Sequence, residues 1–105
     1  MNRGEIWWVD RPGIGRRPHL VLTRQTAVHL LHSVIGVPAT RTLRGIRTEV
    51  ALSQAEGMPE DCVLNLDSVT LLPKLLFVER ICRLSSAKMR EVCAALAFAT
   101  GCDSG

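Results

Sequence analysis

A clear helical period occurs only once in this sequence, at its C-terminal end, and that constrains the fold more than any other feature. Met89, Val92, Cys93, Leu96 and Ala97 recur at i, i+3, i+4, i+7 and i+8, one apolar helix face. Ser85 stands ahead of them as an N-cap, between Leu84 and a Met89 placed as in a hydrophobic staple, and Gly101 supplies the stop. Upstream, glycine, proline and polar clusters cut the chain into short β-branched and apolar runs. Residues 5–9, 19–23, 33–38, 49–52, 62–66, 69–72 and 77–83 read as strands. Residues 25–31 read as one or two helical turns, and residues 10–18, 40–47 and 53–60 as connections. Gly36 inside a strand marks a bulge or a close approach. The expectation is a mostly β fold with α: one domain over residues 1–105, a small barrel of antiparallel strands closed by an amphipathic C-terminal helix whose apolar face is core.

Composition bounds the function. Apolar residues at 47% and charged residues at 22% are ordinary for a globular chain, which excludes disorder and low complexity. No apolar run approaches the ~18 residues of a membrane span, and Glu5 precedes any apolar stretch, so neither a span nor a signal peptide is expected. The expected location is cytoplasmic. Cys62, Cys82, Cys93 and Cys102 show no CxxC spacing and read as reduced core thiols. His19, His29 and His32 lack acidic neighbours at ligand spacing, so no metal and no cofactor are expected.

Charge is unevenly spread. Residues 1–48 carry Arg3, Arg11, Arg16, Arg17, Arg24, Arg41, Arg44 and Arg47 against Glu5 and Asp10, while the remainder is net acidic, and the whole sums to +3. Arginine is suited to forked contact with phosphate. An arginine-rich half facing an anionic partner is one reading; a GC-rich coding sequence is another.

Several local motifs, in order, resemble one family. Arg3-Gly4-Glu5-Ile6-Trp7-Trp8-Val9-Asp10 is similar to the opening strand of MazF/PemK-like toxins, and Arg17-Pro18-His19-Leu20-Val21-Leu22 to their second strand. Val37-Pro38-Ala39-Thr40 sits where that family closes its third strand. Residues 61–69 resemble its "DSVILLDQI" stretch, and Ile81-Cys82-Arg83-Leu84-Ser85 the lead into its last helix.

The resemblance implies an SH3-like (CcdB/PemK-type) barrel that dimerises and cuts single-stranded RNA without a metal, checked by an antitoxin whose acidic C-terminal segment occupies the RNA groove. It places the catalytic arginine at Arg17 and the catalytic threonine at Thr40. Asp67 and Ser68 take the place of a family pair near the groove. In such cleavage the 2′-OH attacks its own phosphate, leaving a 2′,3′-cyclic phosphate and a 5′-OH. A fixed guanidinium stabilises the charge that builds on the phosphate oxygens, and a threonine hydroxyl adds a hydrogen bond. Further RNA contacts are expected from Arg16, His19 and Arg24, and from Arg41, Arg44 and Arg47 acting as one basic arm. His19, sharing a strand side with Arg17, reads either as an acid–base group or as a buried strand histidine bonded to backbone.

The first loop is short and lacks the family's acidic stretch, so any acid contributed there is missing. Trp7 and Trp8 point to opposite faces, one to the core; the other is free either to stack a base or, the favoured reading, to fill a dimer interface that Leu71-Leu72 would extend. Two rivals remain: a CcdB-like toxin that poisons gyrase without cutting RNA, and a non-enzymatic RNA-binding SH3-like module.

Overall fold

Short strands with no helical period between them leave hydrogen-bonded pairing as the way to satisfy the backbone, and the computed structural model, which describes residues 1–104, is built that way. Seven strands form one antiparallel sheet: β1 (Glu5–Arg11), β2 (Gly15–Val21), β3 (Ser33–Thr40), β4 (Glu49–Leu52), β5 (Cys62–Asn65), β6 (Thr70–Pro73) and β7 (Phe77–Arg83). Their order is β4-β5-β3-β2-β1-β7, with β6 also paired to β3. Helix α1 (Gln25–Val28) is a single turn, and α2 (Ser86–Thr100) closes the chain. The fold is mostly β with a C-terminal helix, as the sequence pattern requires. No helix among the described residues is long and apolar enough to cross a membrane.

β3 organises the sheet because it has two partners on one edge. Its first half pairs with β6 (Ile35 opposite Leu71) and its end with β5 (Thr40 opposite Val63). Gly36 is the close approach expected from the sequence: a Cβ there would lie 3.0 Å from Leu72 Cδ1 and 3.5 Å from His19 Cδ2.

The core has two parts. Ile6, Leu20, Val37, Leu64 and Leu66 pack with Val92 and Ala95 of α2, while Val9, Val21, Val28, Val34 and Phe77 fill the other. Ser85 caps α2 by accepting the Lys88 N–H at 3.1 Å, and Gly101 ends it in the left-handed region at φ 75°. The buried face is rotated from the expected one. Val92 and Ala95 are buried, whereas Cys93 is exposed beside Arg3, so this cysteine and the exposed Cys102 are not core thiols.

The largest departure lies in the first hairpin. β1 runs on to Arg11 and β2 starts at Gly15, so Arg16, Arg17 and Pro18 belong to a strand and not to a loop. Gly13 and Gly15, at φ 78° and 95°, let the chain reverse between them. Pro18 is tolerated because β3 joins β2 only from His19 onward, which leaves that edge of β2 free at the proline.

Candidate active site

The sheet register gathers the site. In the β1–β2 ladder Arg16 faces Asp10, Arg17 faces Val9 and Pro18 faces Trp8, which aligns the basic start of β2 along β1. The end of β3 arrives at the same place, and the turn before β5 closes it. Together they line a cleft of about 820 Å³ containing Trp8, Arg16, Arg17, Thr40, Arg41 and Glu60. Arg17 and Thr40, which only family resemblance had joined, thus line one cleft.

Each side chain has a distinct setting. The Arg16 guanidinium lies 5.4 Å from the Trp8 ring centroid, a cation–π arrangement that presents charge and an aromatic face together. Arg17 is exposed, and its guanidinium has no hydrogen-bond or ion-pair partner among the described residues. The Thr40 Oγ1 accepts the Thr42 N–H at 3.2 Å, so its own hydroxyl hydrogen stays available to donate. Arg41 Nε meets Glu60 Oε2 at 2.7 Å across the cleft edge. Cys62 also lines the cleft, and burial pushes its thiol up from the usual range, with the neighbouring Cys82 and Asp61 adding to the rise.

Several expected contacts do not belong to this cleft. His19 is only 2% exposed, so the buried strand histidine is the correct reading and an RNA-contacting one is not. Its Nδ1 lies 3.1 Å from the Arg17 carbonyl, which can only accept, so Nδ1 carries the hydrogen. Burial lowers its pKa; the Arg17 carbonyl opposes that shift, and the positive charge of Arg11 reinforces it. Arg24 stands at the N-cap of α1, at the far end of β2, and does not line the cleft. Asp67 accepts the Thr48 hydroxyl at 2.6 Å, and Ser68 accepts from Asn65 Nδ2 at 3.1 Å. Both belong to a 3-10 turn over Leu66–Ser68 that tethers the end of β5, away from the cleft.

The basic arm is likewise dispersed. Arg44 Nε pairs with Glu49 Oε2 at 3.3 Å, and the backbone N–H groups of Arg44 and Gly45 bond the other oxygen of that carboxylate at 3.0 and 2.9 Å. Burial raises the Glu49 pKa, but these bonds outweigh it and hold the group below its usual value. Arg47 sits 4.0 Å over the Phe98 ring, tacking the loop to α2. Only Arg41 of the three lines the cleft. Mutual repulsion between the arginines is relieved by these separate partners.

Glu60 was not identified as a site residue from the sequence. Its place follows from the β3–β5 pairing, which no local pattern in residues 53–60 reveals. Among the described residues no three His, Cys, Asp or Glu side chains are grouped as a metal site would require.

The chain is similar to known proteins along nearly its whole length. Residues 2–99 match the family of PemK-like, MazF-like toxins of type II toxin–antitoxin systems. A probable endoribonuclease MazF2 of Mycobacterium tuberculosis (strain CDC 1551 / Oshkosh) is 45% identical over 103 residues, covering 97% of this chain and all of that protein. A probable endoribonuclease MazF5 of Mycobacterium tuberculosis (strain ATCC 25618 / H37Rv) is 40% identical over 95% of this chain and 93% of its own length. A mycobacterial endoribonuclease solved in complex with its cognate antitoxin superposes with a TM-score of 0.88 at 26% identity, over 96% of this chain and 95% of that one.

Proposed function

The chain belongs to the PemK-like, MazF-like toxin family, and from that premise we infer that it is the endoribonuclease toxin of a type II toxin–antitoxin pair, with Arg17 and Thr40 as its catalytic groups. The CcdB-like and non-enzymatic readings lose their ground, because relatives matching nearly the whole chain are endoribonucleases by name. The observation that carries the site is the convergence of Arg17 on β2 and Thr40 at the end of β3 on one cleft, with the Arg17 guanidinium unengaged.

The chemistry follows from what these groups can donate. As the 2′-oxygen attacks phosphorus, charge accumulates on the non-bridging oxygens. The Arg17 fork is free to take two of them, and the Thr40 hydroxyl donates one more bond. Arg17 acts electrostatically, since a guanidinium does not release its proton at workable pH. Trp8 under Arg16 offers a surface for a base and a charge for its phosphate, which suits single-stranded RNA. Strand mounting keeps both catalytic groups in place without reorganisation.

A second copy completes the unit. Ile35 and its cross-strand partner Leu71 are both exposed, Leu71 at 65%. Lys74 donates its backbone N–H to the His32 carbonyl and its Nζ to the Val28 carbonyl, at 2.9 Å each, and Leu30, Leu31 and Leu75 are also exposed. An apolar face of this kind on a small chain is covered by an isologous dimer. The interface therefore rests on β3 and β6 rather than on a tryptophan. Trp8 lines the cleft, and Trp7 is half-buried with its indole N–H on Glu5 Oε1 at 3.0 Å. The cognate antitoxin's acidic segment would compete with RNA for the basic cleft, and RNA cleavage puts the site of action in the cytoplasm.

The deciding experiment incubates EDTA-treated protein with RNA and analyses the fragment ends. Arg17→Ala and Thr40→Ala should each lose about 10²–10³ in rate while keeping wild-type circular dichroism. Ends carrying 2′,3′-cyclic phosphate and 5′-OH are expected. Undiminished cleavage by folded Arg17→Ala protein overturns the assignment.

A further inference from the structure

Transesterification requires a group to take the 2′-OH proton, and neither Arg17 nor Thr40 can. A guanidinium has no acceptor, and a neutral threonine hydroxyl is no more basic than the 2′-OH it would have to deprotonate. The family's loop acid is absent, and His19 is buried outside the cleft with Nδ1–H directed to a backbone carbonyl. The titratable side chains that do line the cleft are Arg16, Arg17, Arg41, Cys62 and Glu60. Three of these are arginines, and burial holds the Cys62 thiol in its protonated form. One carboxylate remains.

We propose that Glu60 is the general base of this endoribonuclease, delivered from the turn before β5 and held beside Thr40 by Arg41. The proposal rests on the Arg17–Thr40 reading of the cleft. Its geometry starts from the ladder: Thr40 is opposite Val63, the continued register brings Arg41 to Cys62, and Glu60 lies two residues before Cys62 in the turn that lines the same cleft. Arg41 Nε bonds Glu60 Oε2 at 2.7 Å, which pairs the carboxylate with the side chain of the residue that follows Thr40.

Both partners are largely solvated, Arg41 at 79% and Glu60 at 55% exposure, and exposed ion pairs of this sort are weak. A phosphate of the incoming strand can therefore take the Arg41 guanidinium and release the carboxylate toward the sugar. The step then balances without a co-reactant. Glu60 accepts the proton of the 2′-OH as O2′ bonds to phosphorus and the P–O5′ bond breaks. The departing O5′ takes a proton from water, and the carboxylic acid returns its proton to the hydroxide left behind.

The test uses the full chain and an oligoribonucleotide, with Arg17→Ala alongside. Glu60→Gln should lower kcat by about 10²–10⁴, leave RNA affinity equal or tighter, and lose the acidic limb of the pH–rate profile. Glu60→Asp should retain part of the activity, and added formate should restore cleavage to Glu60→Ala. Wild-type turnover by Glu60→Gln beside an inactive Arg17→Ala overturns the base assignment and leaves the cleft reading intact. An active Arg17→Ala overturns the cleft reading itself. A Glu60→Ala enzyme that is impaired, insensitive to formate and still limited at acidic pH also overturns the proposal, because Glu60 would then only position Arg41.

Discussion

Substituting Gly57 by alanine puts the wall of the cleft to a quantitative test. Gly57 ends the 3-10 turn over Gln54–Glu56, whose capping box joins Ser53 and Glu56, and it adopts φ 102°. A Cβ at this position would lie 2.7 Å from Cys82 Cβ on β7. Two costs add. An L residue forced into the left-handed region loses about 1–2 kcal/mol. Overpacking against a backbone-mounted Cβ costs about 1–3 kcal/mol. The total, about 2–5 kcal/mol, is a large share of the ~5–15 kcal/mol expected for a folded chain. At about 4–5 °C per kcal/mol for this length, Tm should fall by about 8–25 °C. Met58, Pro59 and Glu60 follow directly, so the surviving folded protein should also cleave more slowly. Calorimetry and urea unfolding read the first effect. A double-mutant cycle with Cys82→Gly isolates the clash: removing the opposing Cβ should recover about 1–3 kcal/mol. Gly57→Asn should cost less than alanine, because asparagine tolerates this conformation. An unchanged Tm, or no coupling in the cycle, would refute the reasoning.

Three further outcomes are expected. The His19 pKa is lowered in the folded protein, so below about pH 6.5 the unfolded chain binds a proton that the buried ring does not, and stability should fall as pH drops through that range. The urea midpoint should show this between about pH 8 and about pH 5.5, a span that brackets an ordinary histidine, and His19→Gln should flatten the slope. Glu5 acts in a separate, lower window. Burial raises its pKa, but bonds from Trp7 and Asn2 and the charge of Arg80 hold it below the usual glutamate value, so its contribution is lost only as pH falls through that lowered value. For RNA binding on an Arg17→Ala background, Arg41→Ala should reduce the salt slope by up to about 0.7, the counterion release per single-strand phosphate contact. Arg47→Ala, removing a side chain stacked on Phe98, should leave that slope unchanged while lowering stability by about 0.5–1 kcal/mol. Equal slope changes for the two variants would restore the single basic arm.

Local signals were enough wherever a residue acts through its own neighbourhood. The α2 cap, its stop at Gly101, and β4 and β7 were all legible, because caps, periodicity and β-branched runs are short-range properties. The close approach at Gly36 was legible too, since a lone glycine inside a strand pattern marks either a bulge or a place where a neighbouring side chain needs the room. The opening hairpin was not, because Asp10 to Pro18 has loop composition yet pairs along β1 to Arg11. Glycine at positive φ allowed the tight reversal, and the ladder overrode the local preference.

The site divides in the same way. Sequence determined that the chain carries Arg17, Thr40 and an excess of arginine in its first half, and family likeness named the first two. Which arginines of the 40–47 loop line the cleft was decided by tertiary pairing: Arg44 went to Glu49, Arg47 to Phe98, and of these three only Arg41 to the cleft. His19 was withdrawn by burial between strands, and Glu60 was brought in by the β3–β5 register from a connection with no motif of its own. Charge and hydrogen-bonding capacity belong to the residue type and can be read along the chain. Solvent access and partner choice depend on what the sheet places across from each residue, and that is set by contacts between segments far apart in sequence.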